Sequence, residues 1–201
     1  MPYERPELDV DQLSELFAEI DTELAGRDEP VRVLVAGGAA LAFRWDDRTT
    51  YDVDLVDGEF PADLRRAIAV VAERHNLEHD WFNAGAVVGN PALEPRPRPL
   101  YVGQNLHAYS PDARYLLAMK LFANRNRDLD DAVRLSEEAG ITTAEGMLQL
   151  IDDAYFHNVI PAEIVDFANE VALTVAERES QNINARRRYG NDSSGSLGMD
   201  R

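Results

Sequence analysis

The spacing of apolar residues divides the chain into a front half of alternating strands and helices and a helical back half. Apolar side chains recur every three or four positions over residues 8–25 and 61–75, which predicts two amphipathic helices. Residues 31–36 (VRVLVA) form an apolar run that predicts a strand buried on both faces. Residues 51–56 (YDVDLV) alternate with period two and predict a second strand.

The centre of the chain carries weaker patterns. Residues 77–82 and 100–109 favour strands, and the four prolines within residues 90–99 predict an exposed loop between them. Ser110 and Pro111 suit the N-cap and first position of a helix. Helical spacing then continues over most of the remaining chain, with three breaks. The breaks fall near residues 124–127, 140–143 and 159–161.

Together these elements predict an α+β fold, in which a small mixed β-sheet core carries a C-terminal helical subdomain. The expected core, with its N-terminal helix, spans residues 7–109, and the helical subdomain spans residues 110–180. Residues 181–201 are rich in Arg, Ser, Gly and Asn and lack apolar periodicity, so they are expected to form a flexible tail.

Composition narrows the classes of function. The chain has 201 residues, enough for one domain with an appended subdomain. Its net charge of −17 opposes binding to duplex DNA and to anionic membranes. It contains no cysteine, which excludes disulfides, thiolate catalysis and cysteine-ligated zinc. Residues 1–10 are polar and acidic, unlike a signal peptide, and no apolar run approaches the roughly 20 residues of a membrane span, so a cytoplasmic protein is expected.

Two aspartates stand two positions apart on the second predicted strand. Asp52 and Asp54, the acid pair, therefore point to the same face, roughly 6.6 Å apart along the strand. Val53 and Leu55 point the opposite way, into the core. Two carboxylates on one face can converge on one or two divalent metal ions.

A glycine pair, Gly37–Gly38, precedes the acids by thirteen residues and ends the first predicted strand. Residues 39–45 predict a short helix after it. Glycines at such a turn let a phosphate approach the backbone, and N–H groups at a helix start favour an anion. Arg48 and Thr50, just before the acids, are positioned in sequence to orient them or to contact phosphate. The combination is typical of a site for a metal complex of a nucleoside triphosphate.

The only lysine of the chain, Lys120, is surrounded by apolar residues on a predicted helix. A charge in such a helix needs a partner, which would be a triphosphate or the carboxylates of Asp128 and Asp131. On a continuous helix Lys120, Asn124, Arg127 and Asp131 would share one face. The alternative is a lysine that extends to the surface and pairs with an acid there.

Three ordered motifs carry a resemblance to a known superfamily. They are GGAAL at residues 37–41, RTTYDVDL at residues 48–55 and KLFANRNRDLDD at residues 120–131. Over residues 30–135 the chain resembles the polymerase β-like nucleotidyltransferases, and most closely the bacterial AbiEii/MenT-type toxin-like branch. The resemblance implies a nucleotidyltransferase core fold.

The resemblance also implies roles for individual residues. The acid pair would hold Mg²⁺ or Mn²⁺, the glycine pair would cradle the triphosphate of a bound NTP, and Lys120 would offset its charge. The superfamily usually has a third carboxylate on a later strand. Asp80 is the nearest candidate here, and the alternative is that Asp80 is a surface acid. In the toxin-like branch an acid of the third motif takes an active-site role, which would fall on Asp128 or Asp131, with Asp128 favoured. The alternative for Asp128 is that it caps or bridges the next helix.

The activity implied is transfer of a nucleoside monophosphate from an NTP to an acceptor hydroxyl, with release of pyrophosphate. The acceptor would be an RNA 3′ end, a protein or a small molecule. By the same resemblance the chain would be the toxin of a toxin–antitoxin pair, with an antitoxin protein as partner. A catalytically silent nucleotide-binding or protein-interaction module on the same fold is the alternative hypothesis.

Overall fold

A computed structural model describes residues 5–56, 60–86, 91–155 and 159–191, with side chains described as far as residue 185. These residues form seven α-helices and one five-stranded mixed sheet, so the predicted α+β class is confirmed. The helices are α1 (Val10–Glu23), α2 (Gly37–Ala42), α3 (Ala62–His75), α4 (Ala113–Ala123), α5 (Leu129–Ala139), α6 (Ala144–Tyr155) and α7 (Ala162–Asn191). The strands are β1 (Val31–Ala36), β2 (Val53–Leu55), β3 (Phe82–Asn83), β4 (Arg98–Val102) and β5 (Leu106–Ser110).

The sheet has the strand order β3-β2-β1-β5-β4, with β1 at its centre. β1 runs parallel to β5 and antiparallel to β2, while β3 is parallel to β2 and β4 is antiparallel to β5. The chain clusters into two units, one up to Met119 that holds the sheet and one from Lys120 onward that is helical. The boundary falls inside α4, later in the chain than the predicted division after residue 109.

The first unit has an apolar core between α1 and the sheet. α1 begins after Asp9, whose side chain accepts a hydrogen bond from the backbone N–H of Gln12 in a capping box. Phe17 on α1 is fully buried and stacks on Phe43 at a centroid distance of 5.7 Å. Its ring also meets Phe82 of β3 edge to face. These contacts fix the sheet edge that carries β2 and β3.

Four strand predictions are wrong in detail. The strand expected over residues 51–56 is only Val53–Leu55, and the strand expected over residues 77–82 is only Phe82–Asn83. β1 has the predicted bounds, but Arg32 is exposed, so only the face that carries its valines is buried along the whole strand. The segment 100–109 is a hairpin of β4 and β5 rather than one strand, and β4 already begins at Arg98, inside the predicted proline loop. The carboxylate of Asp21 accepts hydrogen bonds from backbone N–H groups in the connecting turn, including those of Asn105 and Leu106, and so holds the reversal of the chain.

The helical unit begins within α4 and ends with the long helix α7. α4 is capped by Asp112, which accepts a hydrogen bond from the N–H of Tyr115, rather than by Ser110, which belongs to β5. The three predicted breaks fall between α4 and α7, as expected. α7 continues through residues 181–191, where the sequence pattern predicts no helix. Across the described residues, no helix is both long enough and apolar enough to cross a membrane.

Candidate active site

Asp54 lies on β2, between β1 and β3, and Asp52 immediately precedes the first residue of this strand. Val53 and Leu55 are buried, whereas Asp52 and Asp54 are half-buried, so burial alternates as predicted. In the sheet register Asp54 pairs with Ala36 on β1. Because Ala36 is the last residue of β1, this register brings Asp54 to the point where the chain leaves that strand and enters the glycine pair.

The glycine pair is packed directly against Asp54 and Thr50. A Cβ atom added to Gly37 would lie less than 3.0 Å from Asp54 Oδ2, closer than real Cβ atoms approach. One added to Gly38 would lie less than 3.0 Å from the hydroxyl of Thr50. Gly37 also has a φ of +63°, which favours glycine. The sequence therefore needs glycine here to admit the carboxylate of Asp54 and the hydroxyl of Thr50, whether or not a phosphate also approaches.

One expectation about the residues after β1 is wrong. The glycine pair ends this strand, as predicted, but the helix expected over residues 39–45 has other bounds. In the structure Gly37 is itself the first residue of α2, which ends at Ala42, and Ala36 is its N-cap without a side-chain hydrogen bond. Glycine occupies the first two positions of this short helix because a larger residue would clash with Asp54 at the first position and with Thr50 at the second.

Thr50 is buried beside Asp52. Its hydroxyl donates to the backbone carbonyl of Asp52 at 3.1 Å and lies 3.4 Å from Asp52 Oδ1. Its backbone N–H and C=O pair with the C=O and N–H of Leu8 at 3.0 and 2.7 Å. Thr50 therefore fixes the approach of the chain to the acid pair. Arg48, the other predicted contact residue, is half-buried in the preceding loop.

The segment before α1 belongs to this site, which the sequence pattern does not reveal. The carboxylate of Glu7 accepts hydrogen bonds from the hydroxyls of Tyr51 and Thr49, and these bonds lower the pKa of Glu7. Arg5 forms ion pairs with Glu78 and Asp80. The hydrogen bond to Glu78, followed by the charges of Glu78, Asp80 and Asp52, raises the pKa of Arg5. The positive charge of Arg5 thus lies beside the acidic residues at this edge of the sheet.

Asp80, the predicted third carboxylate, lies at the surface. Its side chain is 72% exposed and pairs with Arg5 at 2.8 Å. Within the part of the chain that the structure describes, no group of three or more acidic or histidine side chains is close enough together to hold a metal ion. Among the residues that the structure describes, Asp54 and Thr50 therefore meet the glycine pair, but no third carboxylate joins them.

The residue that the sheet does place beside Asp54 is Asn83, which sequence reasoning missed. Asp54 and Asn83 are register partners on the parallel strands β2 and β3. A Cβ added to Gly85 would lie less than 3.0 Å from both Asn83 Oδ1 and Asp54 Oδ1, so these two oxygens border the same point. No local pattern marks Asn83, because β3 is only two residues long and its register depends on tertiary pairing.

In the helical unit, Lys120 lies between two acids. Its ammonium donates to Asp128 Oδ1 at 2.7 Å and to Asp131 Oδ2 at 3.0 Å. The side chains of Lys120, Asp128 and Asp131, the lysine cluster, are 16%, 10% and 1% exposed. The sequence offers a triphosphate or these two carboxylates as partners of Lys120, and in the structure the carboxylates bind it.

The chain reaches this cluster by a route that the helical spacing does not predict. α4 ends at Ala123, Asn124 has a left-handed φ of +46°, and a 3₁₀ turn (Asn126–Asp128) leads into α5. The break predicted near residues 124–127 is therefore present, so the shared face that a continuous helix would give does not form, and Arg127 is exposed. The reversal at Asn124 is what brings the start of α5 to Lys120.

Gly37→Ala is expected to destabilise the protein by about 2–4 kcal/mol, because it combines left-handed backbone strain with overpacking against Asp54. Gly26→Ala is the matched control, since Gly26 also has a positive φ (+95°) but nothing lies within 4 Å of an added Cβ. Urea unfolding of both variants measures the difference. Equal losses of stability would contradict the close packing of Gly37 on Asp54.

The glycine pair, the acid pair and the lysine cluster all lie within a region shared with other proteins. Residues 11–162 match the profile of a protein family described as “Nucleotidyltransferase of unknown function (DUF6036)”. The match covers well over half of the 201 residues. No curated protein and no solved structure matches the chain significantly.

Proposed function

Because the chain belongs to the DUF6036 family of nucleotidyltransferases of unknown function, we propose that it is a metal-dependent enzyme that moves a nucleoside monophosphate from an NTP to an acceptor hydroxyl. The observation that carries this proposal is the packing of Asp54 and Thr50 on the glycine pair. This packing places a carboxylate, a donor that a hard cation needs, directly beside the glycine turn that the resemblance assigns to the phosphates.

The donor chemistry of the acid pair fits a hard divalent cation. Asp54 on β2 and Asp52 just before it are both half-buried, and carboxylate oxygens are the ligands that Mg²⁺ and Mn²⁺ prefer. These two residues would hold the ion. When bound, such an ion offsets the charge of a triphosphate and orients it for reaction.

The reaction proposed is an in-line transfer at the α-phosphorus. The acceptor oxygen forms a P–O bond, the bond to pyrophosphate breaks, and the hydroxyl proton passes to a base or to water. Asp80 and Asp128 are the bases that the sequence offers. Asp80 is the more accessible, with 72% of its side chain exposed against 10% for Asp128, whose carboxylate is bound to Lys120.

The acceptor and the biological role are proposed from resemblance alone. An RNA 3′ end, a protein hydroxyl and a small molecule are the acceptor classes, and the role is that of a toxin paired with an antitoxin. The net charge of −17 opposes a large RNA footprint and favours an acceptor that offers only one end to the site.

A silent nucleotide-binding module is the second candidate. It is favoured by one observation, namely that the described residues contain no three-acid cluster around Asp52 and Asp54. Such a module would bind Mg²⁺–NTP through the same residues and release no pyrophosphate.

The test is incubation of the protein with each α-labelled NTP, total RNA and Mg²⁺, with and without EDTA. We expect label on an acceptor and release of pyrophosphate, both abolished by EDTA, because the acid pair holds phosphate only through a cation. Label on RNA, on protein or on a small molecule identifies the acceptor. Nucleotide binding by calorimetry without release of pyrophosphate would instead support the silent module, and transfer that survives EDTA would contradict the role of the acid pair.

A further inference from the structure

We propose that Asn83 is the third oxygen donor of the acid site and that its neutral amide sets the affinity of the site for divalent cations. The inference rests on the proposed function, because it concerns the same acid pair. The inference goes beyond the proposed function because it assigns a role in cation affinity to a residue outside the three sequence motifs.

The first step is the position of Asn83. Asp54 and Asn83 are paired across parallel strands, so their side chains leave the same face of the sheet. Both are half-buried. The point that a Cβ of Gly85 would occupy lies less than 3.0 Å from an oxygen of each side chain. The two oxygens therefore stand close together beside one stretch of backbone.

The second step is the orientation of the amide. Asn83 Nδ2 donates to the backbone carbonyl of Asp80 at 3.1 Å, and Asn83 Oδ1 accepts from the backbone N–H of Gly85. A carbonyl can only accept and an N–H can only donate, so these two bonds distinguish the oxygen from the nitrogen. They place the oxygen, not the NH₂ group, at the point beside Gly85 that Asp54 Oδ1 also borders.

The third step is the charge. Amide and carboxylate oxygens are both ligands for hard cations, and a carbonyl oxygen that accepts one hydrogen bond keeps a second lone pair for an ion. With asparagine the side chains of Asp52, Asp54 and Asn83 carry two negative charges, and a carboxylate in the same place would make three. Ligand charge is a main determinant of affinity for divalent cations. Asn83 therefore keeps the binding of a free cation weak, as suits an ion that arrives with a nucleotide.

The experiment is Mn²⁺ binding by calorimetry, with thermal melting in EDTA as a second measurement. Asn83→Asp is expected to bind Mn²⁺ at least about tenfold more tightly than the natural protein, and Asn83→Ala at least about threefold more weakly. In EDTA, Asn83→Asp is expected to melt at a lower temperature, because its carboxylate lies beside that of Asp54, and added Mn²⁺ should reverse the loss.

Gln104→Glu is the matched control, because it adds the same charge in the exposed β4–β5 turn, at the end of the sheet where β1 begins. If Asn83→Asp matches this control in both Mn²⁺ affinity and melting, the proposal is wrong, even where the natural protein binds Mn²⁺ and transfers nucleotides. If the natural protein binds no Mn²⁺ but Asn83→Asp gains binding and is destabilised in EDTA, the placement of Asn83 holds and the metal dependence in the proposed function fails. Absence of binding in every variant overturns both.

Discussion

Asp54→Asn is expected to lower nucleotidyl transfer by at least about 100-fold, because loss of a group that only supports a metal ligand already costs roughly 10–100-fold. Asp54 is the better of the two acids to replace, since the sheet register on both sides of β2 fixes its position. The substitution keeps the size of the side chain and removes its charge. Transfer of label from an α-labelled NTP measures the effect.

The fold of Asp54→Asn is expected to remain intact. The side chain is half-buried rather than fully buried, and removal of one negative charge from a chain of net charge −17 reduces its self-repulsion. Asp28→Asn is the matched control, since Asp28 is an exposed acid that precedes the opposite end of β1. Retention of most of the transfer activity in a folded Asp54→Asn protein would refute the assignment of the acid pair.

The acid pair and the strand that carries it could be predicted from local pattern, because alternation of buried and half-buried residues is a property of neighbouring positions. The bounds of β1 and the burial of Val53 and Leu55 follow in the same way. Motif spacing led to the hypothesis that the glycine pair lies close to Asp54. The structure adds the steric reason for glycine at residue 37, because a Cβ atom there would clash with the Asp54 carboxylate.

The contacts of the site that local sequence pattern could not predict depend on pairing between distant segments of the chain. Asn83 lies beside Asp54 only because a strand of two residues adopts one register, and nothing in its immediate sequence marks that choice. Arg5 reaches Asp80 only because Leu8 pairs with Thr50, which anchors the chain ahead of α1. Each of these contacts joins segments far apart in sequence.

The lysine cluster shows a third case, in which the partners were predictable but the route was not. Burial of a lysine among apolar residues requires a counter-charge, and Asp128 and Asp131 follow Lys120 within the same motif. Their contact depends on the left-handed residue Asn124, which reverses the chain between α4 and α5. A helical wheel cannot represent such a reversal.

Lys120→Met is expected to destabilise the helical unit by about 3–5 kcal/mol, the usual cost of removing one partner from a buried ion pair. Stability is lost because the carboxylates of Asp128 and Asp131, whose side chains are 10% and 1% exposed, keep their negative charges without the neighbouring ammonium. Urea unfolding measures the change. Because much of the cost is the burial of uncompensated charge, adding Asp128→Asn and Asp131→Asn to Lys120→Met should restore a large part of the stability.

Arg178→Gln provides the comparison within the same unit, since Arg178 pairs with Asp130 at the surface, with 38% and 56% of the side chains exposed. Loss of such a pair typically costs less than about 1 kcal/mol. A Lys120→Met protein that unfolds like Arg178→Gln would contradict a structural role for the lysine cluster. If that protein had also lost transfer, the ammonium would act on the nucleotide instead. The sequence offers two partners for the Lys120 ammonium, the carboxylates and a triphosphate. Stability and transfer, measured on the same Lys120→Met protein, distinguish between them.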